Sequence, residues 1–223
     1  DLAGHSGTST ATISRFCKMM LFAGFAEFKM KLAAELAQAP AGQTYQDIVA
    51  GNPLQRIVEA IRTNHVRSIT DTTRLLDMPK LEAAVRALRN ARQIDLYGVA
   101  TSGLVAQDFY QKLIRIGKRA TAFSDPHMQI TSAAGLTAED VAIGISYSGE
   151  TPETIDAIRC AKENGAVTIS LTKYGSSTLA SLTDIPLFAS SLEEGMRRGD
   201  LASRIAQLHV VDILFVGMVS DHF

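Results

Sequence analysis

Asp140-Val141-Ala142-Ile143-Gly144-Ile145-Ser146-Tyr147-Ser148-Gly149-Glu150-Thr151 is an apolar strand that stops in a cluster of hydroxyls and a glycine. Val141 to Ile145 has the nearly continuous apolar character of a strand covered on both faces, which belongs to a parallel sheet. Ser146, Ser148 and Thr151 follow where the chain must turn into a helix opened by Pro152. Backbone N–H groups at that helix start, together with three hydroxyls, suit a phosphate.

Outward from this stretch, strands and helices alternate. The patterning predicts strands at 94–99, 120–123, 141–146, 166–171 and 185–189, with helices at about 104–116, 152–164 and 201–219. This is the signature of an α/β fold: a three-layer, doubly wound parallel sheet with right-handed crossovers and ligands at the carboxyl ends of its strands. Upstream, a helix from Pro53 to about Met78 carries Leu54, Ile57, Val58 and Ile61, and a second from Pro79 carries Leu81, Val85 and Leu88 on one face. Residues 1–38 read as a small all-α module, followed by the small-residue linker Ala39-Pro40-Ala41-Gly42-Gln43-Thr44. The expected organisation is therefore 1–38, a connecting region at 39–83, and the α/β domain at 84–223.

Composition narrows the function classes. The 223 residues are 46% hydrophobic, enough for a sizeable core, and the net charge of −1 excludes a chain that is basic throughout. Any nucleic-acid contact must come from a local patch. No uninterrupted apolar run approaches the roughly 18 residues of a membrane span, and the first residues lack the layout of a signal peptide, so a cytoplasmic protein without membrane contact is expected. A start at Asp1 rather than Met reads as a chain lacking its first residues. Cys17 and Cys160 are too few for a disulfide framework or metal cluster and read as packing residues.

A second strand end repeats the chemistry of the first. The strand ending at Val99 runs into Ala100-Thr101-Ser102-Gly103. If the two strands are neighbours, Thr101, Ser102, Ser146, Ser148 and Thr151 converge on one pocket, with two helix N-termini adding partial positive charge. Ser and Thr are also ordinary N-caps and turn formers, and either loop alone allows that reading. Gly98 to Gly103 lacks G-x-G-x-x-G spacing, and no P-loop motif occurs, which argues against NAD and nucleotide cofactors. No cofactor or metal is expected.

Gly98 to Gly103 and Ser146-Tyr147-Ser148-Gly149-Glu150-Thr151 resemble the two phosphosugar-binding loops of the SIS (sugar isomerase) domain. The resemblance covers about residues 84–223. It implies that Ser102, Ser146, Ser148 and Thr151 hold the phosphate of a sugar phosphate, with Gly149 allowing close backbone approach. The segment from Glu194 to Asp212, with Arg198, Ser203, Arg204 and Gln207, resembles the part that closes the pocket, and Glu194 and Arg198 would then meet sugar hydroxyls.

The front of the chain has its own pattern. After Ser9, a good N-cap, Ile13, Phe16, Cys17 and Met20 fall on one helical face. Thr10, Thr12, Ser14, Arg15 and Lys18 lie opposite, short polar groups and cations suited to base edges and phosphates in a major groove. Residues 12–31 carry a local excess of three positive charges. Ser9-Thr10-Ala11-Thr12-Ile13-Ser14-Arg15-Phe16-Cys17, then Gly24-Phe25 and Glu27-Phe28-Lys29, resemble the helix-turn-helix of RpiR-family transcriptional regulators. In that family this domain precedes an SIS domain, the order found here.

The implied function is a transcriptional regulator, expected to be a repressor, with operator DNA as one partner and a sugar phosphate as the other. The region from Arg198 to Leu214 resembles the amino-sugar branch, such as N-acetylmuramic acid 6-phosphate or a hexosamine phosphate. A homodimer or homotetramer is expected, because operators are usually palindromic. The alternative is a phosphosugar isomerase, which needs a base to move a proton between C1 and C2. His127, placed after a strand where it could face the pocket, Glu150, Glu193, Glu194 and His209 are the candidates, but they form no evident acid–base pair, and no catalytic residue is assigned.

Overall fold

The computed structural model describes residues 6–19, 24–29, 51–190 and 201–220. The linker at 39–44, Glu193, Glu194, Arg198 and Asp200 lie outside the described residues. The chain divides into two compact units, Asp1–Thr44 and Tyr45–Phe223.

In the first unit, α1 spans Thr10–Met19. Ser9 caps it, its Oγ accepting from the Thr12 amide at 3.2 Å. Cys17 is fully buried, and Phe16 meets Phe28 edge-on with ring centroids 5.8 Å apart. Thr10, Thr12, Ser14, Arg15 and Lys18 are all exposed, so the polar face read from the sequence is open to a partner.

The second unit is a five-stranded parallel sheet. Its strands are β1 (Ile94–Tyr97), β2 (Ala120–Phe123), β3 (Val141–Ile145), β4 (Val167–Lys173) and β5 (Ile185–Ala189), in spatial order β2-β1-β3-β4-β5. Helices α2 (Leu54–Leu75) and α3 (Met78–Asn90) precede the sheet. Helices α4 (Ala100–Arg115), α5 (Pro126–Ala133), α6 (Pro152–Glu163) and α7 (Thr178–Leu182) link successive strands, and α8 (Leu201–Val219) follows the last. Ile94 and Leu96 of β1, Val141, Ile143 and Ile145 of β3, and Ile169 and Leu171 of β4 form one core with α3, α4 and α8. On the opposite face, Tyr97 and Ala142 join Ala133 of α5, Ile155 and Ile158 of α6, and Leu179 of α7 in a second core. The result is the three-layer, doubly wound arrangement expected from the alternation of elements. β1 and β3 are buried at every position, which explains the unbroken apolar run of β3, while β1 keeps one charged residue, Asp95, whose carboxylate accepts from Gln93 and the Tyr97 hydroxyl.

Some elements differ from the sequence reading. β1 ends at Tyr97 and α4 begins at Ala100, four residues before the expected start, so Thr101 and Ser102 lie in its first turn. The Ser124-Asp125-Pro126-His127 turn is the start of α5, capped by Asp125 Oδ1 accepting from the Met128 amide at 2.9 Å. This helix buries only Gln129 and Ala133, too short a stripe to show as periodicity. α8 is apolar and long enough by composition to cross a membrane, despite the expectation that no run reaches that length. Arg204, Gln207, His209 and Asp212 interrupt it, and Ala206, Val210, Val211, Leu214 and Met218 pack into the first core.

α2 docks through an unusual stripe. Its buried residues are Ala60, Asn64, Ser68 and Thr72, one per turn and mostly polar. Ser68 Oγ donates to the Ala202 carbonyl of α8 at 2.8 Å, Thr72 Oγ1 accepts from the Ser190 amide at 3.0 Å, and Thr73 Oγ1 lies 2.9 Å from His209 Nε2.

At the start of β3, Asp140 closes the loop before the strand. Burial pushes its carboxyl up, but the Arg92 guanidinium at 2.7 Å, the Thr137 amide at 2.8 Å and the Thr137 hydroxyl at 2.9 Å outweigh this and hold it below the usual carboxylate value. The stabilisation is therefore fully present above the unfolded-state value of about 4 and is lost as pH falls below it. Replacing Asp140→Asn should flatten the acid limb of a plot of urea-unfolding free energy against pH. An unchanged acid limb would show that Asp140 does not contribute to it.

Candidate functional site

The strand order reverses between β1 and β3, which pair in parallel with Tyr97 opposite Gly144. β2 lies on one side of this pair and β4 on the other, so the connections leave in opposite directions and open a crevice at the strand ends. A cleft of about 340 Å³ occupies it. Val99, Ala100, Thr101 and Ser102 line one side, Ser146, Tyr147, Ser148 and Thr151 the other, and Ser203 and Gln207 of α8 complete the described lining. All five hydroxyl residues named from the sequence for this pocket are thus brought together.

The hydroxyls at β3 are ordered among themselves. Ser146 Oγ lies 2.8 Å from Thr151 Oγ1 and 3.4 Å from Ser148 Oγ, and it accepts from the Gly149 amide at 3.1 Å. Ser148 Oγ accepts from the Glu150 amide at 3.2 Å. Neither α4, with Val99 at its N-cap, nor α6, with Thr151 there, has a side chain capping its first turn. The N-cap explanation for Ser102 and Thr151 is therefore replaced by a different arrangement. Two helix N-termini, without side-chain caps and carrying partial positive charge, begin beside a set of neutral donors, which is the chemistry of an anion site.

Local backbone geometry keeps the loops in place. A Cβ on Gly98 would stand 2.9 Å from the Ser102 carbonyl carbon and oxygen, so β1 can turn directly into α4 only with glycine there. Ala100 is held at φ 49°, a left-handed conformation that costs a non-glycine residue roughly 1–2 kcal/mol. Gly149 has φ 70°, and a Cβ on it would fall 2.3 Å from Ser177 Oγ. Its close approach is to α7 rather than to the cleft, whose lining does not include it. Glu150 also turns toward α7. Its two oxygens accept from the Thr178 hydroxyl at 2.6 Å and amide at 2.8 Å, and those bonds hold the carboxyl below its ordinary value.

Other residues named from the sequence lie elsewhere. His127 is exposed in the first turn of α5 and is not part of the cleft lining. His209 is partly buried and faces Thr73 of α2. Glu194 lies outside the described residues. Among the described residues no group of three His, Cys, Asp or Glu side chains could hold a metal ion. Ser203 and Gln207 fell within the segment compared with a pocket-closing element, but their approach to the cleft depends on the docking of α8, which no local pattern shows.

The fold and the cleft define a class: an α/β domain with a hydroxyl-lined cleft at the switch point of its sheet. Residues 87–217 match the SIS domain family, and residues 1–39 match the helix-turn-helix domain of the rpiR family. An uncharacterized HTH-type transcriptional regulator of Caldanaerobacter subterraneus is 47% identical over 97% of this chain and 76% of its own length. The solved structure of Vibrio vulnificus NanR complexed with ManNAc-6P is 32% identical, has a TM-score of 0.72, and is covered to 78% by the whole of this chain. The sugar isomerase domain of an RpiR transcription factor from Sphaerobacter thermophilus is 25% identical with a TM-score of 0.69, matching 75% of this chain and 92% of that one. The chain belongs to the RpiR family of helix-turn-helix transcriptional regulators.

Gly149→Ala combines a left-handed φ with a clash against Ser177, and it should lower unfolding free energy by about 2–4 kcal/mol. Urea denaturation of the variant checks this, and a loss under 1 kcal/mol would mean that the Gly149 to Ser177 approach is not a constraint.

Proposed function

We propose that the cleft receives a sugar phosphate, its phosphate held by Ser102, Ser146, Ser148 and Thr151 with Thr101 beside them, and that occupancy changes the affinity of the N-terminal helix-turn-helix for operator DNA. The observation that carries this reading is the convergence of two helix N-termini without side-chain caps on one set of ordered hydroxyls. Residues 1–38 act as the DNA-binding part, 39–83 as the connection and 84–223 as the sensor. Thr10, Thr12, Ser14, Arg15 and Lys18 present the DNA-contacting face. The likeness to NanR, whose solved structure holds ManNAc-6P, supports an amino-sugar 6-phosphate as effector. Action on DNA fits a cytoplasmic protein, and a palindromic operator fits a homodimer or homotetramer. Coupling follows if the effector binds one arrangement of the assembly better than another.

A sensing role, rather than isomerisation, is supported by where the candidate bases among the described residues sit. Glu150 is tied to α7 with a lowered pKa, His209 faces α2, and His127 lies outside the cleft. A base for C1–C2 proton transfer has to reach the sugar carbons.

Saturation with a sugar phosphate at about a hundred times its Kd should stabilise the protein by about 2.7 kcal/mol, or roughly 5–10 °C in melting temperature. Ser148→Leu should abolish that shift, and a variant that keeps full affinity would remove the phosphate assignment. Anisotropy titration with operator DNA should show Arg15→Ala weakening the complex and lowering the slope of log affinity against log salt by about one. Absence of any sequence-specific complex, with or without sugar phosphates, would overturn the regulatory reading.

A further inference from the structure

Gln207 is 2% exposed, lines the cleft, and its Nε2 has no hydrogen-bond partner among the described residues. An amide buried without a partner is costly, and one that lines a cleft is placed for a water or ligand to complete it. Ser203, one turn earlier on α8, lines the same wall and is 3% exposed. The anion end of the cleft is already defined by the two helix starts and the hydroxyls between them, so α8 faces whatever part of the ligand extends from the phosphate. The described lining carries no charged side chain. A neutral amide donor there matches a neutral oxygen acceptor.

We infer that Gln207 is the specificity-determining residue of the cleft, its amide donating to a neutral oxygen on the sugar body, a hydroxyl or the carbonyl of an acylated amino group. This rests on the reading of the cleft as a sugar-phosphate site. It assigns discrimination among sugar phosphates to α8 and retention of the phosphate to the loops after β1 and β3.

The test uses Gln207→Leu and, as a second variant of unbranched shape, Gln207→Met. Binding of N-acetylmannosamine 6-phosphate, glucose 6-phosphate and inorganic phosphate is measured by calorimetry or by competition. Both variants should bind the preferred sugar phosphate about tenfold or more weakly, the loss expected for one hydrogen bond in a buried site, and bind inorganic phosphate within about twofold of the parent. Their ligand-free melting temperatures should equal or exceed that of the parent, because an unpaired amide has been removed. Sugar-phosphate affinity retained in both variants overturns the assignment of Gln207 and leaves the phosphate cradle standing. A lowered ligand-free melting temperature in both also overturns it, since the amide would then serve the fold. A parent protein that binds neither sugar phosphate nor inorganic phosphate overturns the cleft reading and this inference together.

Discussion

Parallel pairing of β1 with β3 is the constraint on which the rest of the molecule depends. Because these strands are neighbours while β2 and β4 lie outside them, the helices that follow must leave on opposite faces. α4 joins the first core and α6 the second. Both nonetheless start at the same edge of the sheet, which places their N-termini on either side of one cleft. The hydroxyls then need only to be short and to follow the strands closely, and Gly98 makes the first of these turns possible.

The third wall of the cleft links it to the front of the second unit. Ser203 lines the cleft, and the carbonyl of the preceding residue, Ala202, accepts from Ser68 of α2. Asn64, Ser68 and Thr72 give α2 a polar docking stripe in place of the apolar one that α3 offers through Leu81, Ala84 and Leu88. Hydrogen bonds fix direction and register, while apolar burial rewards area without regard to direction. α2 is therefore positioned by the first turns of α8 more than by bulk burial.

The centre of the sheet was legible in the sequence because β3 is covered on both faces and reads as an apolar run. Val141 to Ile145 and the strand beginning at Ile94 needed no tertiary information. The site was legible for a related reason: hydroxyls placed at the ends of buried strands have little else to do than cap or bind. What local pattern missed was short or depended on packing over long separations. α5 and α7 bury too few residues to make a stripe, and the early start of α4 rests on an alanine in a left-handed conformation. Gln207 reads locally as one polar residue in an apolar helix, and its significance appears only when α8 is laid against the loops after β1 and β3.

Holding a phosphate with neutral donors, as proposed for the cleft, has an energetic consequence. A lysine or arginine in the cleft would add a charge-assisted bond of roughly twice the strength of a neutral one, and it would do so for any anion of suitable size. Helix N-termini and hydroxyls supply smaller increments that depend on distance and direction, each helix end being worth about 0.3–1 kcal/mol and up to about 2 when partly buried. A phosphate held in this way binds weakly enough that contacts to the rest of the ligand decide which one stays. Discrimination then falls to the neutral groups beyond the phosphate, and for a sensor this is the useful arrangement, since abundant free phosphate would otherwise compete for the site.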